Sequence, residues 1–173
     1  MNRLQRKRTQ VAAVLNVSLG GGLTVEQVMT AEPSCIAPET TALELVRLFH
    51  AHCFRHLLVA GDDGRLIGII SDRDVLRCLG LGDIDQRALL ARISADEIMS
   101  RDLITIEPGA SLERAVGLML EHGISCLPVL RDDALVGILT NTDIEVVLEL
   151  LLQLSRQSVP EQPCPAAVLA RHN

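Results

Sequence analysis

Nothing constrains the fold of this chain as tightly as the fact that it repeats itself. TVEQVMT at 24–30 returns as SADEIMS at 94–100, Pro38 returns as Pro108, and ALELVRLFHAH (42–52) returns as LERAVGLMLEH (112–122). HLLVAGDDGRLIGIISDRD then returns as CLPVLRDDALVGILTNTD, one residue shorter in the turn, so that GIISDRD (68–74) matches GILTNTD (137–143). A register held over more than fifty residues is a tandem duplication. One unit of roughly sixty residues buries too little surface to stand alone. Two units are therefore expected to face each other about a pseudo-twofold axis, each covering the other's apolar sheet.

Each unit reads as helix, strand, helix, hairpin, helix, an α+β pattern. Thr24 with Gln27, and Ser94 with Glu97, have capping-box spacing for a short opening helix. A brief strand follows, CIA or TIE, ended by Pro38 or Pro108. Thr41 and Glu44 repeat the capping spacing, and Leu112, Ala115, Val116, Met119 and Leu120 form an apolar stripe at helical period. Two strands joined by GDDG or RDD make the hairpin, since Asp-Gly between aliphatic runs is a turn signal. Residues 24–80 and 94–154 are thus the two repeats and 81–93 the linker. Residues 1–23 extend the N-terminus, and 155–173, with three prolines, read as a loose tail.

Composition removes several classes of function. The formal net charge of −6 argues against a general nucleic-acid footprint. Phe49 and Phe54 are the only aromatics apart from histidine, so base stacking has little to work with. Five cysteines, odd in number and scattered, read as reduced thiols. The start has a basic stretch followed by apolar residues, but Asn16 and Ser18 interrupt it, and a cytoplasmic location is expected. VVLELLLQL is too short to span a bilayer. Arg3, Arg6, Lys7 and Arg8 read as a solvated charged segment, with contact to a partner or nucleic acid as the alternative. His50, His52, Cys53 and His56 straddle a helix end and a strand, so their side chains should diverge rather than hold a metal. The sequence has no nucleophile elbow or Walker loop, which argues against an enzyme.

The duplicated G-h-h-(S/T)-x-x-D segment carries the chemistry. Ser71 and Thr140 stand at N-cap positions with Asp74 and Asp143 three residues on, and capping alone accounts for those residue types. It does not account for Gly68 and Gly137, which permit another group to approach the strand closely. A helix N-terminus supplies amide donors for phosphate, and an Asp supplies two acceptors for a ribose diol. The same geometry would hold a nucleotide.

With VM(T/S), the proline after the first strand, HGISCLPV (122–129) and the two GIISDRD-type segments, the chain resembles a tandem pair of CBS domains over residues 24 to about 154. The resemblance implies a regulatory module that binds AMP, ADP, ATP or S-adenosylmethionine in two clefts between the repeats. It needs no cofactor; an adenine nucleotide would be its regulatory ligand. Carried over, Ser71, Arg73 and Asp74 serve a cleft lined by Ile104, Thr105 and Ser125. Thr140, Thr142 and Asp143 serve the other, lined by Ser34, Cys35 and Arg55. The first matches the family better, because Leu58 replaces the proline found at Pro128 and Cys35 replaces the hydroxyl found at Thr105. The resemblance also implies a homodimer and an effector protein acting in trans, without membrane or nucleic acid. The rival reading is a ligand-free dimeric adaptor with degenerate clefts.

Overall fold

The structure, a computed structural model, describes residues 2–17, 22–79 and 85–157. The elements run α1 (Arg3–Val17), α2 (Val25–Val28), β1 (Thr30–Ala31), β2 (Cys35–Ile36), α3 (Ala42–His52), β3 (His56–Ala60), β4 (Leu66–Ser71), α4 (Asp72–Arg77), α5 (Gln86–Leu90), α6 (Ala95–Ile98), α7 (Leu112–His122), β5 (Cys126–Arg131), β6 (Ala134–Thr140) and α8 (Asn141–Gln157). The expected order appears in both halves, and the TIE strand of the second is reduced to a parallel bridge from Ile106 to Val129. Each hairpin turn reaches positive φ, at Gly64 in GDDG and at Asp132 and Asp133 in RDD. α8 runs three residues into the segment read as tail, and residues 158–173 lie outside the described part.

Two three-stranded sheets form, β2-β3-β4 and β1-β6-β5. The second contains a strand from the first repeat: Thr30 pairs with Ile138 and Ala31 with Gly137. The exchange is reciprocal, because Ser100 of the second repeat bridges to Ile69 on β4. The short opening helices cross over too. The Val25 and Glu26 amides donate to the carbonyls of Ala110 and Pro108, and those of Ala95 and Asp96 to Thr40 and Pro38. Each repeat thus completes its fold with the other's first segment, which binds them more firmly than face-to-face sheets alone.

Three apolar clusters follow from this topology. Val25, Val28 and Met29 sit with Leu127, Val129, Leu139, Val146 and Val147 of the second repeat, joined by Val11 and Leu15 of α1. Ala95, Met99 and Leu90 complete the first repeat's core around Leu45, Val59 and Ile70. Leu58, Cys126 and Ile138, with Ile69 and Leu135 against them, form the third cluster from strands of both sheets. Each fully buried Leu, Ile or Val contributes about 1.5–3 kcal/mol relative to exposure, so the crossed segments matter to both cores.

The glycines have a packing explanation. A Cβ on Gly68 would overlap Met99 Sδ, and one on Gly137 would overlap Met29 Sδ. The group that approaches each strand is therefore the methionine of the exchanged VM(T/S) segment. In the α7 stripe Ala115 and Met119 are buried, but Leu120 is 78% exposed and faces away from the core.

The N-terminal extension departs furthest from its reading as a solvated segment. Arg3, Lys7, Val11 and Leu15 recur every fourth residue on α1, one face of a helix. Val11 and Leu15 are buried in the second repeat's core, and they carry Lys7 inward with them. Arg8 pairs with Glu149 on α8, Gln10 donates to the Gln27 carbonyl, and the Arg3 guanidinium lies 4.9 Å from the centre of the Phe54 ring. No helix among the described residues is long and apolar enough to cross a membrane.

Candidate functional site

Both GIISDRD-type segments form the same joint, in which a buried strand delivers a hydroxyl residue to a helix start and the acid three residues on turns back. Asp74 Oδ2 accepts from the Ser71 amide at 2.8 Å and from its hydroxyl at 2.6 Å. Asp143 Oδ2 accepts from the Thr140 amide at 2.7 Å and from its hydroxyl at 2.8 Å. This satisfies a donor that a helix start would leave open and places the acid where the helix dipole favours it. One oxygen of each carboxylate is thereby spoken for.

The remaining oxygens differ. Asp74 Oδ1 meets Arg77, 2.9 Å away on the same helix, and that arginine side chain is 78% exposed. Asp143 Oδ1 meets Lys7, 2.8 Å away on α1, with the two side chains 9% and 5% exposed. A surface arginine can swing into water at little cost, whereas the lysine is enclosed. Burial pushes the Lys7 ammonium below its ordinary range, the Asp143 carboxylate pulls it back up, and Arg3 adds a smaller downward push.

The expected lining residues fall into three places. Ser125 comes to the Asp74 end of the first sheet: its hydroxyl is 3.0 Å from His56 Nε2, and His56 pairs with Ser71 across β3 and β4. Burial pushes the His56 imidazole below its ordinary value, reinforced by Arg55 and, more weakly, Arg73, while Asp72 and Asp74 pull it up. The Arg55 carbonyl accepts from the Asp72 amide, so Arg55 borders α4. The Arg55, Arg73 and Thr142 side chains are exposed. Ile104 packs on the second repeat's core and Thr105 precedes the Ile106 bridge. Cys35, with Ser34 exposed beside it, lines a cavity of about 540 Å³ between the two hairpin turns, at the far end of β4 and β6 from the acids. Among the described residues, Glu32, Asp63, Asp132 and Asp133 surround that cavity against a single cation, Arg65, so it is poorly suited to phosphate.

His56, Lys7 and Arg77 were missed as site residues. Lys7 had a visible signal, its place on the Val11–Leu15 stripe; His56 had none beyond entering a buried strand. Among the described residues no group of three or more His, Cys, Asp or Glu can hold a metal ion. His52 stacks on Phe54 at 5.1 Å, turned to packing rather than toward His56. The described cysteines are free, and burial pushes the Cys126 thiol up to about 12, which removes it from thiolate chemistry.

The sequence matches the CBS domain family twice, over residues 25–81 and 95–150, and the chain belongs to that family. It is a tandem CBS pair. Among curated relatives, a homoserine O-acetyltransferase of Methanocorpusculum labreanum is 36% identical over 120 residues, 69% of this chain but 23% of the enzyme. The chain thus spans about a quarter of that relative and matches its CBS region only. Hypoxic response protein 1 of Mycobacterium tuberculosis is 30% identical over 70% of this chain and 82% of its own length. Among solved structures, the AcuB protein of Vibrio cholerae superposes with a TM-score of 0.67 at 30% identity, covering 80% of this chain and 99% of its own. CBSX2 in complex with AMP gives 0.62 at 27%, covering 78% and 100%. The CBS pair of protein MJ0100, in complex with 5'-methylthioadenosine and S-adenosyl-L-methionine, gives 0.65 at 24% over 74% and 97%, which speaks to the fold.

Proposed function

We propose that this CBS pair is a regulatory module that binds an adenosine nucleotide through Asp74 and signals to a partner protein in trans. The observation that carries this reading is the state of the Asp74 carboxylate. One oxygen is fixed by Ser71, which orients the group, and the other is held, among the described residues, by a surface arginine that a ribose diol can displace. His56 and Ser125 join the two repeats beside it, so a ligand there would touch both halves. That CBSX2 was solved with AMP supports the choice of ligand class. S-adenosylmethionine shares the ribose and is the alternative ligand. Binding would shift the repeats relative to one another by no more than the ligand's preference between their arrangements allows.

A second reading, a ligand-free adaptor, draws on the occupied Asp143 and on the exposed Leu120, Leu148, Leu151 and Leu152 of α7 and α8, which suit a homodimer face. Isothermal titration calorimetry with AMP, ADP, ATP and S-adenosylmethionine separates the two, since the chain has no Trp or Tyr to report binding. The sensor predicts heat with at least one ligand, lost in Asp74→Ala; the adaptor predicts none from folded protein.

A further inference from the structure

The two acids at the helix starts differ in what a ligand can reach. Asp74 turns its second oxygen toward an exposed arginine. Asp143 is 3% exposed, with one oxygen committed to Thr140 and the other 2.8 Å from Lys7 Nζ. Lys7 is buried as well, so an ammonium of the same chain stands where a ribose diol would have to stand. The cavity between the hairpin turns lies at the far end of β6 and gives no access to this acid.

More than the ion pair holds Lys7 there. Val11 and Leu15, on the same face of α1, are buried in the second repeat's core, and Arg8 pairs with Glu149 on α8. The helix also reaches the first repeat. Gln10 donates to the Gln27 carbonyl, and the Arg3 guanidinium lies 4.9 Å from the centre of the Phe54 ring, two residues before His56. α1 thus engages the acid and touches both repeats, as a nucleotide would at Asp74. A ligand at Asp143 would have to displace the ammonium, separate a buried ion pair and draw Val11 and Leu15 out of the core. Two hydrogen bonds from a diol do not compensate for that. Resting on the adenosyl-ligand reading above, we propose that α1 is the resident occupant of the second joint. It stands in for a ligand at Asp143, and the chain takes one adenosyl ligand, at Asp74.

Calorimetry of the full chain with AMP, ADP, ATP and S-adenosylmethionine in turn counts the sites, and hydrogen exchange of α1 reads the occupant. One ligand per chain is expected, lost in folded Asp74→Ala protein. The α1 amides should exchange no faster with the ligand present, because nothing displaces the helix. Asp143→Asn, which keeps an acceptor for Thr140, should speed their exchange at least about tenfold, since it breaks a buried ion pair. The wild-type count and exchange need no variant to fold. Two ligands per wild-type chain, a ligand that speeds α1 exchange, a site that survives Asp74→Ala, or α1 exchange unchanged in Asp143→Asn each overturn the occupant. Two sites, with only one lost in Asp74→Ala, leave the Asp74 reading standing. A folded wild type silent to all four ligands removes that reading and the count together.

Discussion

The starts of α4 and α8 are the same joint built twice, yet one acid faces a surface arginine and the other a buried lysine. The N-cap bonds agree to within a few tenths of an ångström, because Ser71 and Thr140 are fixed by identical strand-to-helix geometry. The divergence comes from outside the repeat: α1, 15 residues long, precedes the first copy and brings Lys7 to Asp143, whereas the five-residue α5 before the second copy docks Leu90 in the first repeat's core and brings no cation to Asp74 among the described residues. Duplication supplies two equal acids, and a single added helix makes them unequal.

Removing the two cations should expose that inequality most clearly. Lys7→Met leaves Asp143 enclosed and unpaired, and breaking a buried pair costs about 3–5 kcal/mol. Urea unfolding followed by circular dichroism should show the loss, capped at the docking energy of α1 if that helix lets go. A loss below about 1 kcal/mol would mean that the pair is effectively solvated and the comparison fails. Next in size is the ligand response. Asp74→Ala should weaken binding of the best adenosyl ligand by about 10- to 100-fold, the scale of losing charged hydrogen bonds. Asp143→Ala should change the first binding event by less than about threefold if the Asp74 cleft fills first; equal effects would make the clefts equivalent.

Much of this was legible in the sequence because it was written twice. Periodicity and capping spacing locate the helices, the aliphatic runs around GDDG and RDD locate the hairpins, and the repeated acid marks the joints. The crossing of β1 onto β6 was not legible. Thr30 and Ala31 carry no mark of which sheet they join. Gly68 and Gly137 were read rightly as close-approach positions, but the approaching group, a methionine from the other repeat, is a tertiary fact. Lys7 was hidden by its neighbours: amid Arg3, Arg6 and Arg8, the charge outweighed the four-residue spacing to Val11 and Leu15. Leu120 shows the reverse, an apolar residue on the expected stripe that the helix turns outward.

Where the repeats agree, a control is available. Gly68→Ala and Gly137→Ala each force a Cβ into a methionine and should cost about 1–3 kcal/mol, the range for overpacking. Gly68→Ala should cost more, because its Cβ would come within 2.7 Å of Met99 Cγ, against 3.1 Å for Met29 Cγ at Gly137. Thermal melts of the two variants give the order directly. Smaller still is a pH effect confined to one half, since His56 stands where the second repeat has Cys126. Its folded pKa lies below the ordinary 6.5, chiefly through burial. The unfolded chain therefore takes up this proton first as pH falls, and stability declines below about pH 6.5 until the folded imidazole also titrates, by at most about 1.4 kcal/mol per pH unit. His56→Asn should flatten that part of the stability curve; an unchanged curve would assign the decline to other groups.

The least expected change is the most telling for the comparison. Arg77 pairs with Asp74 as closely as Lys7 pairs with Asp143, at 2.9 Å against 2.8 Å, so distance alone predicts equal importance. Exposure predicts otherwise. A pair whose cation is 78% exposed contributes about 0–1 kcal/mol, because water solvates both charges nearly as well when apart. Arg77→Ala should leave the urea midpoint almost unmoved, and it frees Asp74 Oδ1 for a ligand's hydroxyl. Nucleotide affinity should then hold or rise, unless Arg77 itself contacts the phosphate. A fall of tenfold or more in AMP binding, with adenosine binding unchanged, would show that contact. It would make Arg77 a ligand contact, and its exposure would then mark a phosphate position rather than a dispensable surface pair.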